Sequence, residues 1–281
     1  MDLHNSDGFA TERDALDDLV DAVLKVSSQQ GGRQIAARLT VGINLYTRMT
    51  VAAVSLLRLL PGNRLVEERW TPWWDWPTTA AVARNVIEAY LMFHYVAIEP
   101  ISVDEDDLRR QVFWYHDNWE KRRLYQDWGA SPEVLAEFDE KLPRDRTVIE
   151  KNAAFALLTK DQQKRALSGH HAIYLTRTEL RARLPFSSSE MPGLYRLLSA
   201  NVHAAPFSFH RQDNSRGRGM ENEADRGYMC LASHFSRKYI AASVIELCNA
   251  VPDLRADAPE AFAKAQRHFL EVEETAYPDG V

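Results

Sequence analysis

The sequence predicts an all-α protein folded as a multi-helix bundle. Apolar residues recur at helical spacing along most of the chain, helix-start signals are frequent, and no segment sustains the two-residue alternation of a strand. The chain has 281 residues, of which 45% are hydrophobic, and this is enough apolar material for a sizeable core. Intrinsic disorder and collagen-like repetition are therefore excluded.

Start signals place the helices in order along the chain. Four pairs resemble capping boxes, in which the capping residue stands three positions before an acidic residue or Gln: Thr11 with Asp14, Ser102 with Glu105, Thr159 with Gln162, and Asp257 with Glu260. Prolines that suit a first helical turn are Pro77, Pro132 and Pro259. With the apolar spacing, these signals predict helices at residues 11–29, 33–60, 77–98, 104–126, 132–140, 146–158, 160–168, 177–184, 191–203, 225–250 and 258–274.

The chain is predicted to form one helical domain over residues 1–281, because neither an internal repeat nor a Pro/Ser-rich linker marks a boundary. Within it we expect a peripheral N-terminal helix at 11–30, a core bundle at 33–250, and an acidic C-terminal helix and tail at 251–281. The charged, glycine-containing composition of residues 207–227 predicts a long loop between the last two core helices.

Charge is distributed unevenly along the chain, whose formal net charge is −6. Residues 1–25 carry seven acids against two bases, and residues 253–281 carry seven acids against three bases. Residues 141–240, in contrast, carry seventeen Lys and Arg against nine Asp and Glu. This segment can therefore hold a phosphate-bearing ligand although the whole chain is acidic.

Several compartments and chemistries are excluded by what the sequence lacks. No apolar run reaches the ~20 residues of a membrane span, and the polar N-terminal residues lack the features of a secretory signal. Cys230 and Cys248 lie on one predicted helix, too far apart to pair there. We expect a cytoplasmic protein with reduced thiols and no membrane partner. Neither a glycine-rich phosphate loop nor a Cys/His zinc spacing occurs, so we expect no cofactor and no metal.

The predicted helix 191–203 separates its polar and apolar residues by angle. At ~100° per residue, Arg196, Ser199 and His203 share one stripe, whereas Tyr195, Leu198 and Val202 fall on the opposite side. A guanidinium holds a phosphate bidentately, and a nearby imidazole exchanges a proton near neutral pH. These roles suit metal-free RNA cleavage, with His203 as the base and Arg196 as the stabiliser of the phosphorane. The alternative is that His203 caps its helix and Arg196 pairs with a carboxylate of another helix.

A second polar stripe follows the predicted helix 77–98, where Arg84, Glu88, Tyr95 and Glu99 lie within ~60° of one another. Arg84 and Glu88 are four residues apart and can pair on their own helix, which is the structural interpretation. The functional interpretation is that this stripe faces the Arg196/His203 stripe, with Glu88 orienting one of those residues.

Two further features bear on ligand binding. The four indoles between Trp70 and Trp76 suit either a hydrophobic plug at a helix entry or a platform for stacking bases. In the charged loop, Arg211 and its basic neighbours suit either contact with an RNA backbone or a solvated surface.

The motifs also resemble known families. Tyr195-Arg-Leu-Leu-Ser199 followed by Val202-His203, with Arg84-Asn-Val-Ile-Glu88-Ala-Tyr90 upstream, resembles the bacterial family called domain of unknown function 5677, and the resemblance implies a helical fold. Arg196, six residues and His203 also resemble the Arg-x(4 to 6)-His motif of HEPN proteins. Those are helical, usually dimeric, and many are metal-independent ribonucleases of toxin and phage-defence systems. Leu197 departs from that motif, which commonly has a polar residue after the Arg.

The HEPN resemblance implies a HEPN-like core with additional helices, a homodimer, and RNA as the partner. We therefore expect a metal-independent endoribonuclease of a toxin or defence type, with Arg196 and His203 as catalytic residues and Ser199, Arg84, Glu88 and Arg211 as substrate-binding residues. The alternative is a non-catalytic helical binding or scaffold protein whose polar stripes are structural.

Overall fold

The computed structural model describes residues 6–66, 72–203, 206–209 and 219–275. Its helices, in chain order, are α1 (Ser6–Ser28), α2 (Ala37–Leu59), α3 (Trp76–Phe93), α4 (Val103–Asp127), α5 (Pro132–Lys151), α6 (Ala153–Ala156), α7 (Lys160–Ala166), α8 (Arg177–Arg181), α9 (Met191–Val202), α10 (Pro206–Phe209), α11 (Glu223–Ala250), α12 (Pro252–Asp257) and α13 (Pro259–Glu274). A π-helical turn, His94–Ile98, follows α3. Within the described ranges the only β pairing is an isolated bridge between Trp74 and Gly219. The predicted all-α bundle is therefore confirmed.

The chain divides into two compact units, Met1–His94 with Ser187–Val281, and Tyr95–Phe186. The first contains α1–α3 and α9–α13, and the second contains α4–α8. The single domain expected from the sequence stays a prediction. No helix in the described part of the chain is both long and apolar enough to cross a bilayer.

Helix α11 forms the centre of the first unit. Every residue from Ala232 to Val244 is buried, and α1, α2, α3 and α13 all contact this helix. A helix covered on all sides is expected to be apolar around its whole circumference, yet Arg237 and Lys238 lie in this stretch. Both are in ion pairs, Arg237 with Glu12 and Lys238 with Glu190, which offsets the cost of burying them.

Both cysteines lie on α11 and are buried free thiols. Burial raises the pKa of Cys230 to about 12 and that of Cys248 to about 11. Because the thiolate is the reactive form, both side chains behave as inert core residues.

The second unit is organised around the pair α4 and α5 and around a buried arginine. The guanidinium of Arg109 donates to Glu99 at 2.7 Å, to Glu105 at 2.6 Å and to the carbonyl of Tyr95 at 2.5 Å. Arg183 reaches the same two carboxylates. This network connects α4 with the π-helical turn and residues that precede it and with Arg183, which follows α8.

Two of the predicted helix starts are confirmed. The hydroxyl of Ser102 accepts the backbone N–H of Glu105 at the start of α4. Thr159 and Gln162 form a complete capping box at the start of α7.

Two other predicted caps are wrong, because a helical turn precedes each of them, although α13 does begin at Pro259, one residue from the predicted start. Helix α1 begins at Ser6, so Thr11 lies inside it and donates to the carbonyl of Asp7. Asp257 is the last residue of the short helix α12, and Ala258 precedes α13 without a side-chain cap.

The predicted break between helices 132–140 and 146–158 is also wrong, because α5 continues through Pro143. Proline removes one backbone donor and disfavours the helical conformation of the residue before it. Here the flanking turns are joined across the proline by two i,i+4 ion pairs, Lys141–Asp145 and Arg144–Glu140. These pairs favour continuing the helix over ending it.

Candidate functional site

Helix α9 presents the predicted Arg196 stripe to solvent. Met191, Leu194, Tyr195 and Leu198 are buried, whereas Arg196 and His203 are exposed. The helix ends one residue earlier than predicted, at Val202, and His203 is its C-cap with extended backbone angles, φ −102° and ψ 130°. The Cα atom of His203 still lies on the helical path, because its position is set by the helical backbone angles of the residues before it.

Neither Arg196 nor His203 has a side-chain partner within the described ranges. No hydrogen bond or ion pair there involves the guanidinium of Arg196 or the imidazole of His203. His203 thus occupies a capping position without capping the helix through its ring, and Arg196 is not paired with a carboxylate of a described residue. Both groups are accessible to an external ligand.

Ser199 lies between these two residues and differs from them. Its side chain is half-buried, and its Oγ is buried without a hydrogen-bond partner among the described residues. A serine in mid-helix usually donates to the carbonyl one turn earlier, which this hydroxyl does not do.

Arg84 and Glu88 form one cluster with Tyr195 rather than with Arg196. The guanidinium of Arg84 lies 3.0 Å from the Glu88 carboxylate and donates to the Tyr195 hydroxyl at 3.1 Å. That hydroxyl in turn donates to Glu88, and the guanidinium carbon lies 5.1 Å from the centre of the Tyr195 ring. Burial alone lowers the pKa of Arg84, but the hydrogen bond to Glu88, the charge of Glu88 and the contact with Tyr195 together outweigh it and raise the pKa.

The cluster determines how α3 and α9 contact each other. Glu88 reaches α9 through Tyr195, and no hydrogen bond or ion pair joins it to Arg196 or His203 in the part of the chain that the structure describes. The i,i+4 pairing of Arg84 with Glu88 is present as the structural interpretation has it. The chain from α9 to Arg211 is only partly described, and Arg211 itself lies outside the described residues.

Sequence reasoning missed Tyr195 as the link between α3 and α9. The helical spacing of ~100° per residue places Tyr195 on the side of α9 away from Arg196, among apolar residues. This position was the available indication that Tyr195 faces another helix. A phenol on a buried helix face needs a polar partner, and a stripe that contains Arg84 and Glu88 is the kind of partner it needs.

The tryptophan cluster divides between core and surface. Trp74 packs against Phe9 with ring centres 4.9 Å apart, and Trp76 stacks on Tyr228 at 5.3 Å. Both are nearly inaccessible, as a hydrophobic plug requires, whereas Trp73 is 68% exposed. Trp70 lies outside the described residues.

The basic segment 141–240 presents less positive charge than its composition suggests. Arg237 and Lys238 are buried, and several exposed cations, such as Arg146 and Lys141, pair with carboxylates nearby. Arg196 is an exception because it is exposed and has no ion pair with a described residue. As for metals, no three His, Cys, Asp or Glu side chains cluster suitably for an ion within the described ranges.

Comparison with known proteins gives one match. No curated protein and no solved structure is significantly similar to the chain. Residues 39–219, well over half of the chain, match a family of unknown function, DUF5677, and this segment contains Arg84, Glu88, Arg196 and His203. The helical fold and the match together show that the chain belongs to the DUF5677 family of unknown function.

Proposed function

We propose that this protein is a metal-independent endoribonuclease whose catalytic pair is Arg196 and His203. One observation carries the proposal: Arg196 and His203 are both exposed, seven positions apart at the C-terminal end of α9, and neither is engaged by a described residue. Ion pairing and helix capping are the two structural roles that would account for an Arg and a His at these positions, and neither role is filled within the described part of the chain. The spacing of Arg, six residues and His resembles the HEPN motif.

The chemistry needs a base and a cation next to one phosphate. His203 takes the proton from a ribose 2′-hydroxyl, and the 2′-oxygen attacks phosphorus. Arg196 donates two hydrogen bonds to the non-bridging oxygens and stabilises their charge as the phosphorane forms. The bond from phosphorus to the 5′-oxygen then breaks, and this oxygen takes a proton from solvent. The products are a 2′,3′-cyclic phosphate and a free 5′-hydroxyl.

Four other residues complete the proposed RNA site. Ser199 lies between the catalytic pair in sequence, and its buried hydroxyl, which has no hydrogen-bond partner among the described residues, binds RNA once the side chain turns toward solvent. Arg211 contacts the RNA backbone. Arg84 and Glu88 act through Tyr195 by holding α9 against α3. As the HEPN resemblance implies, we propose a homodimer that acts on RNA in the cytoplasm, in a toxin or phage-defence setting.

A second candidate function is a non-catalytic helical binding or scaffold protein. The observation that favours it is the closed cluster of Arg84, Glu88 and Tyr195, in which the charges satisfy one another. In this case Arg196 and His203 are surface residues of a protein-binding helix. RNA cleavage distinguishes the two functions.

The test is cleavage of end-labelled single-stranded RNA in excess EDTA. We expect the wild-type protein to cleave, and His203→Ala to lower the rate by about a hundredfold or more, since a positioned general base contributes ~10²–10⁴. Arg196→Ala is expected to have a similar effect. The product termini are identified by phosphatase treatment. A 2′,3′-cyclic phosphate resists phosphatase, and it becomes sensitive after acid opens the ring.

The matched control is His170→Ala, which removes an exposed histidine of the other unit and should leave cleavage unchanged. Far-ultraviolet circular dichroism checks that every variant is folded. Absence of cleavage by the wild-type protein favours the scaffold function. Cleavage that needs a divalent ion contradicts the metal-independent mechanism.

A further inference from the structure

A cavity of about 920 Å³ in the first unit lies apart from the residues assigned to RNA cleavage. It is lined by the end of α2, the loop that follows, the start of α1 and the segment before α3; its polar and aromatic residues include Arg13, Arg58, Asn63, Arg64, Trp73 and Asp75. This volume is within the range of small-molecule sites, ~300–1,000 Å³.

The loop that lines the cavity is rigidly held by a buried asparagine. The amide nitrogen of Asn63 donates to the carbonyls of Arg58 and Leu60 at 3.2 and 2.6 Å, and its amide oxygen accepts the backbone N–H of Leu65 at 2.9 Å. Gly62 has φ +75°, and a Cβ there would lie 2.5 Å from the guanidinium of Arg13. The loop is therefore preorganised by contacts that a flexible surface turn does not make.

Trp73 is held at the edge of the same cavity although it is 68% exposed. Its ring lies against Gly219, where a Cβ would come within 2.2 Å of the indole. The neighbouring backbone N–H of Trp74 donates to the carbonyl of Gly219 at 3.1 Å. A large indole that is fixed in place and left open to solvent is a ready surface for stacking a flat ring.

The charges of the cavity leave one cation available. Arg13 pairs with Asp14 at 2.8 Å and Arg64 pairs with Asp17 at 2.7 Å. The carboxylate of Asp75 accepts the backbone N–H of Thr78 as the cap of α3. Arg58 is exposed and has no side-chain partner among the described residues. An anionic group can therefore bind Arg58 without displacing an ion pair.

From this combination we infer that the cavity is a nucleotide-binding site, in which Trp73 stacks on the base and Arg58 binds the phosphate. The ligand is a free mononucleotide or one nucleotide of an RNA strand, since both present the same base and phosphate. The inference does not depend on RNA cleavage, because it uses none of the proposed catalytic residues.

The experiment measures the binding of three probes to the full chain by isothermal titration calorimetry. The probes are adenosine 5′-monophosphate, adenosine, and a single-stranded oligoadenylate of six nucleotides whose 2′-hydroxyls are methylated, so that the proposed cleavage reaction cannot use it. Trp73→Ala is expected to weaken the binding of all three by about tenfold, from the loss of one stacked base. Arg58→Ala is expected to weaken the binding of the monophosphate by about tenfold and to leave the binding of adenosine unchanged, because adenosine has no phosphate.

Matched controls come from the other unit. Trp128 is 74% exposed and Arg144 is exposed, so Trp128→Ala and Arg144→Ala remove the same groups elsewhere and should not change binding. Trp73→Phe, which keeps an aromatic ring, should restore part of the affinity.

Each outcome decides the inference. If Trp73→Ala weakens binding and the wild type binds the monophosphate and the hexamer equally well, the ligand is a free nucleotide. If Trp73→Ala weakens binding and the wild type binds the hexamer more tightly, the ligand is an RNA strand. Absence of binding of every probe by the wild type, or binding that Trp73→Ala leaves unchanged, overturns the site. If Arg58→Ala weakens the binding of adenosine as much as that of the monophosphate, the assignment of the phosphate to Arg58 is overturned.

Discussion

At the scale of single residues, the carboxylate of Glu12 is tightly constrained, because it is 1% exposed and held by two side chains of α11. It accepts from the guanidinium of Arg237 at 2.9 Å and lies 3.0 Å from the imidazole of His234. Arg237 in turn reaches Glu271 of α13 at 2.8 Å. Three helices, α1, α11 and α13, therefore depend on one buried network of charges.

Glu12→Gln should destabilise the protein by about 3 kcal/mol, because removing one partner of a buried ion pair leaves the other charge incompletely compensated. The free energy of unfolding from urea denaturation measures the effect. The control is Glu140→Gln, whose carboxylate is 74% exposed and pairs only with Arg144 at the surface, and it should change stability by less than about 1 kcal/mol. Equal effects of the two substitutions would show that burial does not make the Glu12 network essential.

At the scale of secondary-structure elements, α5 shows how a helix continues through a residue that normally ends one. Pro143 is exposed, and the neighbouring turns carry the ion pairs of Lys141 with Asp145 and of Arg144 with Glu140. Of the residues in α5 only Ile149 is buried, so local interactions contribute much of what keeps this helix formed.

Pro143→Ala should therefore stabilise the protein by about 1–3 kcal/mol, because alanine restores a backbone donor and is ~3 kcal/mol more favourable than proline inside a helix. Thermal unfolding followed by circular dichroism at 222 nm measures the change. Pro132→Ala is the matched control, since proline suits the first turn and its removal brings no comparable gain. A lower melting temperature for Pro143→Ala would instead indicate that α4 and α5 need the proline for their packing.

At the scale of the whole molecule, the acidic N-terminal helix is joined to the C-terminal helix by opposite charge. Asp18 of α1 contacts Lys264 at 2.5 Å, Arg267 at 2.6 Å and His268 at 2.8 Å, all on α13. Partial burial alone raises the pKa of Asp18, but the hydrogen bonds from Lys264 and His268 outweigh it and lower the pKa. The attachment of α13 to α1 is therefore sensitive to acid.

The direction of this pH dependence follows from the lowered pKa. A carboxyl with a lower pKa in the folded state stabilises the protein above its unfolded value of 3.8, and this contribution is lost as the pH falls through the folded pKa. Asp18→Asn should cost about 0.5–1 kcal/mol at pH 7, because solvent screens a side chain that is 36% exposed. The difference from the wild type should begin to shrink near pH 3.8, disappear below the lower folded pKa, and be smaller in high salt.

Urea denaturation at several pH values checks this expectation. Asp127→Asn, an exposed residue of α4, serves as the control and should show no such pH-dependent difference. A gap between Asp18→Asn and the wild type that stays constant down to pH 2 would contradict the role of the Asp18 charge.

The comparison of sequence with structure shows which properties are local. Helical spacing and capping chemistry act over a few residues, so the all-α class, the start of α4 and the capping box of α7 were predictable. The start of α1 and the cap of α13 were not, because a preceding turn or helix converts a capping signal into an ordinary helical position. Pro259 nevertheless indicated where α13 begins. The stripe of Arg196, Ser199 and His203 also followed from angular position alone.

The sequence by itself thus determined the fold class, the family and the residues that share one side of α9. Only the tertiary structure decided that Glu88 bonds to Tyr195, that Glu12 pairs with Arg237, and that Trp73 alone among its described neighbours in the cluster remains exposed. The reason is physical. Which side chains share a helix face depends on 3.6 residues per turn, whereas which faces meet depends on the rotation and shift of whole helices.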